Sequence, residues 1–155
     1  HTHFDLEVAG TVTADDFEIT ATDVSFMSQE DFSDIYAFEK EMFKEAECIM
    51  VTVNIKNMSE EKQRVTLEGF TLTSQAWTTC TAPDKYMAVN EKWNSEQYQS
   101  GSIYIESGEE RKLILPFLLV KNGFTQKQWE HVKERNYELV LSLYPVKKQI
   151  KLKCV

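Results

Sequence analysis

Residues 48–61, CIMVTVNIKNMSEE, carry the clearest pattern in the chain. Ile49, Val51, Val53 and Ile55 alternate with Met50, Thr52, Asn54 and Lys56. A period of two in β-branched residues predicts a half-buried strand with the first set inward. Asn57 and Ser59 follow, and their short polar side chains bond nearby backbone in a turn. The same alternation occupies Phe4, Leu6 and Val8 before Gly10. It returns at Phe17, Ile19 and Ala21, and Val24 and Phe26 continue one residue out of step. A slip of one residue at Thr22-Asp23 is what a β-bulge produces. Two opening strands are expected, over residues 4–13 and 17–27.

Residues 28–47 change character. Phe32, Ile35, Tyr36, Met42, Phe43 and Ala46 fall near helical spacing with acids between them, and Ser28 or Asp31 can cap a start. A helical or irregular excursion is expected here, covering the sheet on its apolar side and leaving an acidic outer surface. Beyond residue 56, alternation at Val65–Leu67 and Phe70–Thr73 predicts further strands, Gly101–Glu106 and the apolar Arg111–Val120 are the next, and Tyr137–Tyr144 has Leu139, Leu141 and Leu143 in phase. Ser107-Gly108-Glu109-Glu110, Asn122-Gly123 and Pro145 mark turns. Thr125 and Gln128 form a capping-box pattern, so residues 124–136 predict a short helix with Trp129 and Val132 on one face. Residues 149–155 end the chain with Ile150, Leu152 and Cys154 in phase. Lys151 and Lys153 on the other face suggest a defended edge. Eight or nine strands without sustained strand–helix alternation predict an all-β fold, a sandwich of two antiparallel sheets with one or two short helical excursions.

Composition narrows the function classes. The chain has 155 residues, 42% hydrophobic and 27% charged, which suits a single folded domain over residues 1–155. The longest apolar run, Leu113–Val120, is far shorter than a membrane span and contains Pro116. A net charge of −8 argues against nucleic acid as a partner, because phosphate neutralisation needs a basic face. The charge is uneven: residues 1–47 carry 13 acids and 2 bases, whereas residues 48–155 carry 12 acids and 15 bases. Complementarity within one fold accounts for such a split, and a docking surface is the alternative.

The three cysteines, Cys48, Cys80 and Cys154, form no Cys-x-x-Cys motif and specify no bridge. They are expected to be small buried side chains with free thiols. The chain starts at His1 without Met, as a protein cut behind an export leader would.

The order of these pieces has a counterpart. VTVNIKNMSEE, then VTLEGFTLTSQ, a loop with PDKY, and SGEERKLILPFLLV together resemble the small immunoglobulin-like domains of secreted proteins and lipoproteins in Gram-positive bacteria. The resemblance runs from Phe17 to Val120. It implies an immunoglobulin-like sandwich and an extracellular or cell-surface address, with a lipid anchor upstream of His1 as the route to the membrane. It brings no activity and no catalytic residue. The excursion at 28–47 is longer than in that group, and the Cys…Trp…Cys core of antibody domains is missing.

Three sets of residues carry candidate chemistry. A free amino terminus with His1 and His3 can bind Cu(II) or Ni(II) through amine, amides and imidazole; a frayed start is the alternative. Copper-dependent polysaccharide oxygenases use an N-terminal His with a second, internal one, and His131 is the sole internal His in the sequence. Trp77, Tyr86, Trp93 and Tyr98 lie in the least regular segment, where rings either stack on sugars or anchor a loop on the sheet. Glu30, Asp31 and Asp34 form an acidic face without the ligand spacing or glycine of a known Ca²⁺ loop. No G-x-S-x-G elbow surrounds any serine. The expected function is therefore an exported interaction or accessory module for a protein or glycan, without catalysis or cofactor. A copper-dependent enzyme using His1 and His3, or a carbohydrate-binding module using the 77–98 aromatic loop, are the alternatives.

Overall fold

The alternation at residues 48–57 becomes the central strand of the protein. The structure, a computed structural model, describes residues 4–5, 11–14, 16–35, 45–66, 69–74, 77–81, 83, 102–134, 136–142 and 148–154. In chain order the elements are β1 (Phe4–Asp5), β2 (Thr11–Ala14), β3 (Phe17–Phe26), α1 (Gln29–Ile35), β4 (Ala46–Asn57) and β5 (Gln63–Thr66). There follow β6 (Thr71–Ser74), β7 (Trp77–Thr81), β8 (Ser102–Ile105), β9 (Glu110–Val120), a 3-10 turn (Lys121–Gly123), α2 (Gln126–Glu130), β10 (Tyr137–Ser142) and β11 (Lys148–Cys154). One sheet has the order β2-β3-β4-β9, the other β1-β11-β10-β6-β7, and β5 pairs with β8 in a separate two-stranded ribbon. Each of these pairings is antiparallel. The molecule is an all-β sandwich.

Ile49, Val51, Val53 and Ile55 are all fully buried, as their alternation predicts. They meet Leu113, Leu115 and Phe117 of β9, Leu72 of β6, Leu139 of β10 and Leu152 of β11 in one core. Each such side chain taken out of water contributes about 2 kcal/mol, so the core carries the fold. The bulge is where the phase slip puts it: β3 pairs with β4 in one register from Phe17 to Ala21 and resumes, shifted, at Asp23. This keeps Val24 and Phe26 buried beside Ile19 and Ala21.

The other face of the four-stranded sheet is divided. Its β4 row reads Ala46, Cys48, Met50, Thr52, Asn54, Lys56, apolar first and polar after. Helix α1 sits on the apolar half. Met27, Phe32, Ala46 and Cys48 form a second buried cluster there, with Ile35, Met50, Leu118 and Val120 against it. Helix α1 thus covers the outer face of the sheet; Tyr36, Met42 and Phe43 of the expected excursion lie outside the described residues, and Ala46 already belongs to β4. Ser28 caps α1, its hydroxyl accepting from Asp31 N at 3.2 Å. Glu30 and Asp34 point to solvent, opposite buried Phe32. Cys48 is wholly buried in this cluster and is not bridged by a disulfide.

Three expectations are corrected. Residues 4–13 hold two short strands in different sheets, β1 on β11 and β2 on β3. Helix α2 has the predicted capping box, with Thr125 and Gln128 bonded reciprocally, but it ends at Glu130 rather than continuing to Asn136. His131 leaves helical geometry and turns occupy residues 131–134, which swings Val132 into the core. Finally, β11 is not an edge: β10 lies on one side and β1 pairs with Asp5↔Lys153 on the other.

Candidate functional site

Asn57 ends β4 and ties one end of the sandwich together. It is fully buried. Its Nδ2 donates to Glu61 O at 2.8 Å and Ile105 O at 2.9 Å. Its Oδ1 accepts from Ser59 N at 2.9 Å and Ser59 Oγ at 2.8 Å. Its backbone N donates to Glu109 O and its carbonyl accepts from Gly108 N, both at 3.0 Å. Gly108 has φ 72°, a left-handed conformation suited to glycine, and so closes the β8–β9 turn. Ser107 Oγ donates to Ser59 O at 2.6 Å, joining the β4–β5 and β8–β9 turns. A side chain with this many satisfied polar groups fixes a corner rather than performing chemistry.

The corner positions the β5–β8 ribbon. Val65, Ile103 and Ile105 point into the core. Arg64 and Tyr104, directly opposite one another, point outward. Tyr104 is 55% exposed and Met58 53%, the two large apolar side chains left in solvent among the described residues. Lys62 Nζ lies 5.5 Å from the centre of the Tyr104 ring and 3.2 Å from Glu106 Oε1. Arg64 Nε donates to Ser102 Oγ at 2.9 Å. The ion pair is exposed and contributes little to stability, and the same Lys62 ammonium lies over the face of the ring. The outcome is a row of Glu106, Lys62, Tyr104 and Arg64 on a ribbon whose inward face is already committed to the core.

Beside the ribbon, between the sheets, a crevice of about 120 Å³ is lined by Phe17, Ile19, Ile55, Val65, Phe70 and Leu141, with Arg64, Thr66 and Gly69 also at its walls.

The residues singled out in the sequence are not brought to this end. Glu30, Asp31 and Asp34 lie on α1, over the opposite end of β4. Trp77 opens β7, in register with Ser74. Tyr86, Trp93 and Tyr98 lie outside the described residues, as do His1 and His3. His131 stands at the end of α2, its Nδ1 2.7 Å from Glu134 Oε2. Among the described residues no group of three or more His, Cys, Asp or Glu is placed to hold a metal ion. No helix among them is long and apolar enough to cross a membrane. Sequence reasoning missed Tyr104 and Arg64. Their signal was the alternation of Arg64 with Val65 and of Tyr104 with Ile103 and Ile105, which marks both as outward before any pairing is known.

The charge split is resolved in part within the fold. Lys121 Nζ lies 2.7 Å from Glu45 Oε2, and Lys133 Nζ lies 3.1 Å from Glu47 Oε1. Both pairs join bases of the later chain to acids of the first third.

With the fold and this corner defined, comparison with known proteins assigns a class. Residues 6–148 match the model of the family described as Domain of unknown function (DUF5028), and the chain belongs to that family. Solved structures share the fold. A functionally unknown protein from Listeria monocytogenes superposes with a TM-score of 0.60 at 8% identity, over 99% of this chain and 85% of that one. A candidate lipoprotein from Bacillus subtilis gives 0.55 at 18% identity and 95% of this chain; the present chain spans only 39% of its length. An uncharacterized β-sandwich protein from Clostridium difficile gives 0.51 at 9% identity, over 94% and 91% of the two chains. A comparison with curated proteins finds no match.

Proposed function

We propose that this chain is an exported, immunoglobulin-like interaction domain. It is held at the surface of a Gram-positive bacterium and acts by binding a protein or glycan rather than by catalysis. Strand order supports the immunoglobulin-like part. If β3, β4, β6, β8, β9, β10 and β11 are its seven strands, the first, second and fifth lie together, and the third, sixth and seventh face them. The fourth, β8, departs by pairing with β5. Tyr137 supports it too. At the start of β10 its buried hydroxyl donates to Val132 O at 2.6 Å, the corner bond made by a tyrosine beginning the sixth strand of such domains. The likeness to a candidate lipoprotein, and the Bacillus, Listeria and Clostridium sources of the similar folds, support the address.

The observation that carries the binding role is the outward face of the β5–β8 ribbon. Tyrosine and arginine are the residue types that anchor interfaces, and here Tyr104 and Arg64 stand side by side on a rigid element. Sedimentation of the purified domain with Bacillus subtilis cell walls, before and after their proteins are stripped, tests this reading. Retention is expected in one of the two preparations, and Tyr104→Ala should weaken it about tenfold, the loss of one aromatic anchor. Equal retention of Tyr104→Ala, or no retention of the wild type, overturns the ribbon as the site. Recovery of the full-length protein from the cytosolic fraction overturns the address.

A further inference from the structure

The crevice beside the ribbon combines two features. Six apolar side chains, Phe17, Ile19, Ile55, Val65, Phe70 and Leu141, line a half-open space of about 120 Å³ together with Thr66 and Gly69. A phenyl-sized group is of that order of size. The same wall includes Arg64, an exposed residue. Its Nε is tied to Ser102 Oγ at 2.9 Å, and its two Nη groups have no partner among the described residues. A guanidinium anchored through Nε presents the remaining N–H groups as a fork, the geometry that matches a carboxylate.

We propose that this crevice binds a small monocarboxylate with a compact apolar body, the body among Ile19, Ile55, Val65 and Leu141 and the carboxylate on Arg64. The site shares Arg64 with the outward face of the ribbon but uses no contact of Tyr104, so Tyr104→Ala separates it from the partner-binding role. A void left by imperfect packing would take neutral and anionic probes equally. A built site prefers the anion, and the preference resides in Arg64.

Benzoate and benzyl alcohol, the same ring with and without charge, serve as probes. They are titrated into the methyl-labelled domain and followed by NMR. Benzoate is expected to shift the methyls of Ile19, Ile55, Val65 and Leu141 with a dissociation constant on the order of 1 mM, modest because the ligand is small. Benzyl alcohol should bind the same methyls about tenfold more weakly, since it lacks the charge-assisted pair. Arg64→Gln, a surface change that the fold tolerates, should bring benzoate down to the level of benzyl alcohol. Tyr104→Ala should leave both unchanged. Leu141→Trp, which fills the crevice, should abolish both shifts. The proposal is overturned if benzoate shifts none of these methyls at about 20 mM, well above the expected constant. It is also overturned if Arg64→Gln keeps the preference for benzoate.

Discussion

Removing the Asn57 side chain is the sharpest perturbation available at the closed end of the sandwich. Asn57→Ala deletes four hydrogen bonds, two donated by Nδ2 and two accepted by Oδ1. Their losses differ. Glu61 is exposed and Ser59 half-buried, so water can replace their missing partner. Ile105 is fully buried, and its carbonyl loses its bond from Nδ2. An unsatisfied buried acceptor costs about 1–3 kcal/mol, and the replaceable bonds add a fraction of about 1 kcal/mol each, for a total of about 3 kcal/mol. Urea unfolding followed by tryptophan fluorescence reads this directly. With a slope of about 2 kcal/mol per molar, the midpoint should fall by about 1.5 M with the slope unchanged.

Asn57→Asp separates the donors from the acceptors. It keeps the bonds from Ser59 but turns a carboxylate oxygen toward the carbonyls of Glu61 and Ile105, where an amide NH₂ had been. Burial and two facing oxygens both disfavour the charged form, so the introduced carboxyl titrates above the ordinary range of about 4 in the folded state. The folded state then holds the proton more tightly. Relative to wild type, stability is highest below the unfolded pKa and falls as pH rises through the folded one. At neutral pH Asn57→Asp should therefore be less stable than Asn57→Ala, and the gap should narrow in acid. If Asn57→Ala lies within about 0.5 kcal/mol of wild type, the level of an ordinary surface change, the corner is held by something else. Equal stability of the two variants at all pH values would refute the assignment of Nδ2 as the critical donor.

Three further outcomes are expected. Tyr137→Phe removes only the hydroxyl bonded to Val132 O and should cost about 1–2 kcal/mol in thermal unfolding; an unchanged midpoint would leave the β9–β10 corner held by packing alone. Cys48 should resist thiol reagents in the native protein and react once unfolded, as located by peptide mapping, because α1 and the outer sheet face enclose it; labelling before unfolding would mean that α1 opens readily. Replacing Glu30, Asp31 and Asp34 by their amides should leave the domain folded at a cost of about 1 kcal/mol or less, since Glu30 and Asp31 in the first turn of α1 favour it only weakly and Asp34 in its last turn does not, and circular dichroism melts would register a larger loss.

Local chemistry was legible in the sequence, and long-range pairing was not. The inward set of β4, the slip at Thr22-Asp23, the capping box at Thr125 and the glycine turn at Gly108 are each written within a few residues, and each is found in the structure. The β5–β8 ribbon joins residues about forty apart, and no local pattern tells Val65 that Ile103 is its neighbour. The two-faced burial of β9 was half legible. Leu113–Val120 is continuously apolar instead of alternating, which signals a strand covered on both sides. The cover on its outer side is α1, whose seat depends on the apolar start of the β4 outer row. Pro116 fits because β9 has β4 on one side only among the described residues. Tyr137 opens the strand that holds Leu139 and Leu141, and nothing local marks its hydroxyl. Its hydroxyl bond depends on where α2 stops, and a helix end is less well specified by sequence than a capped start.

The outer face of the β4–β9 sheet explains why the two ends of the domain differ. Twelve residues of β4 extend about 40 Å, long enough for separate environments at either end. At the Ala46 end the outward residues are apolar, and α1 buries them while Lys121 and Lys133 pair with Glu45 and Glu47. That end is sealed by packing, and a partner reaching it meets a helix already in use. At the Asn57 end the outward residues are Asn54 and Lys56, and closure comes from hydrogen bonds between turns. Such a corner is rigid without needing a covering element. It leaves the ribbon free to expose Tyr104 and Arg64, and it leaves the mouth between the sheets open beside them. The acids on α1 and the binding surface proposed at the ribbon are therefore separate properties. Substitutions at Glu30 or Asp34 should not change binding at Tyr104, because β4 connects the two ends through a packed core that has one arrangement to offer.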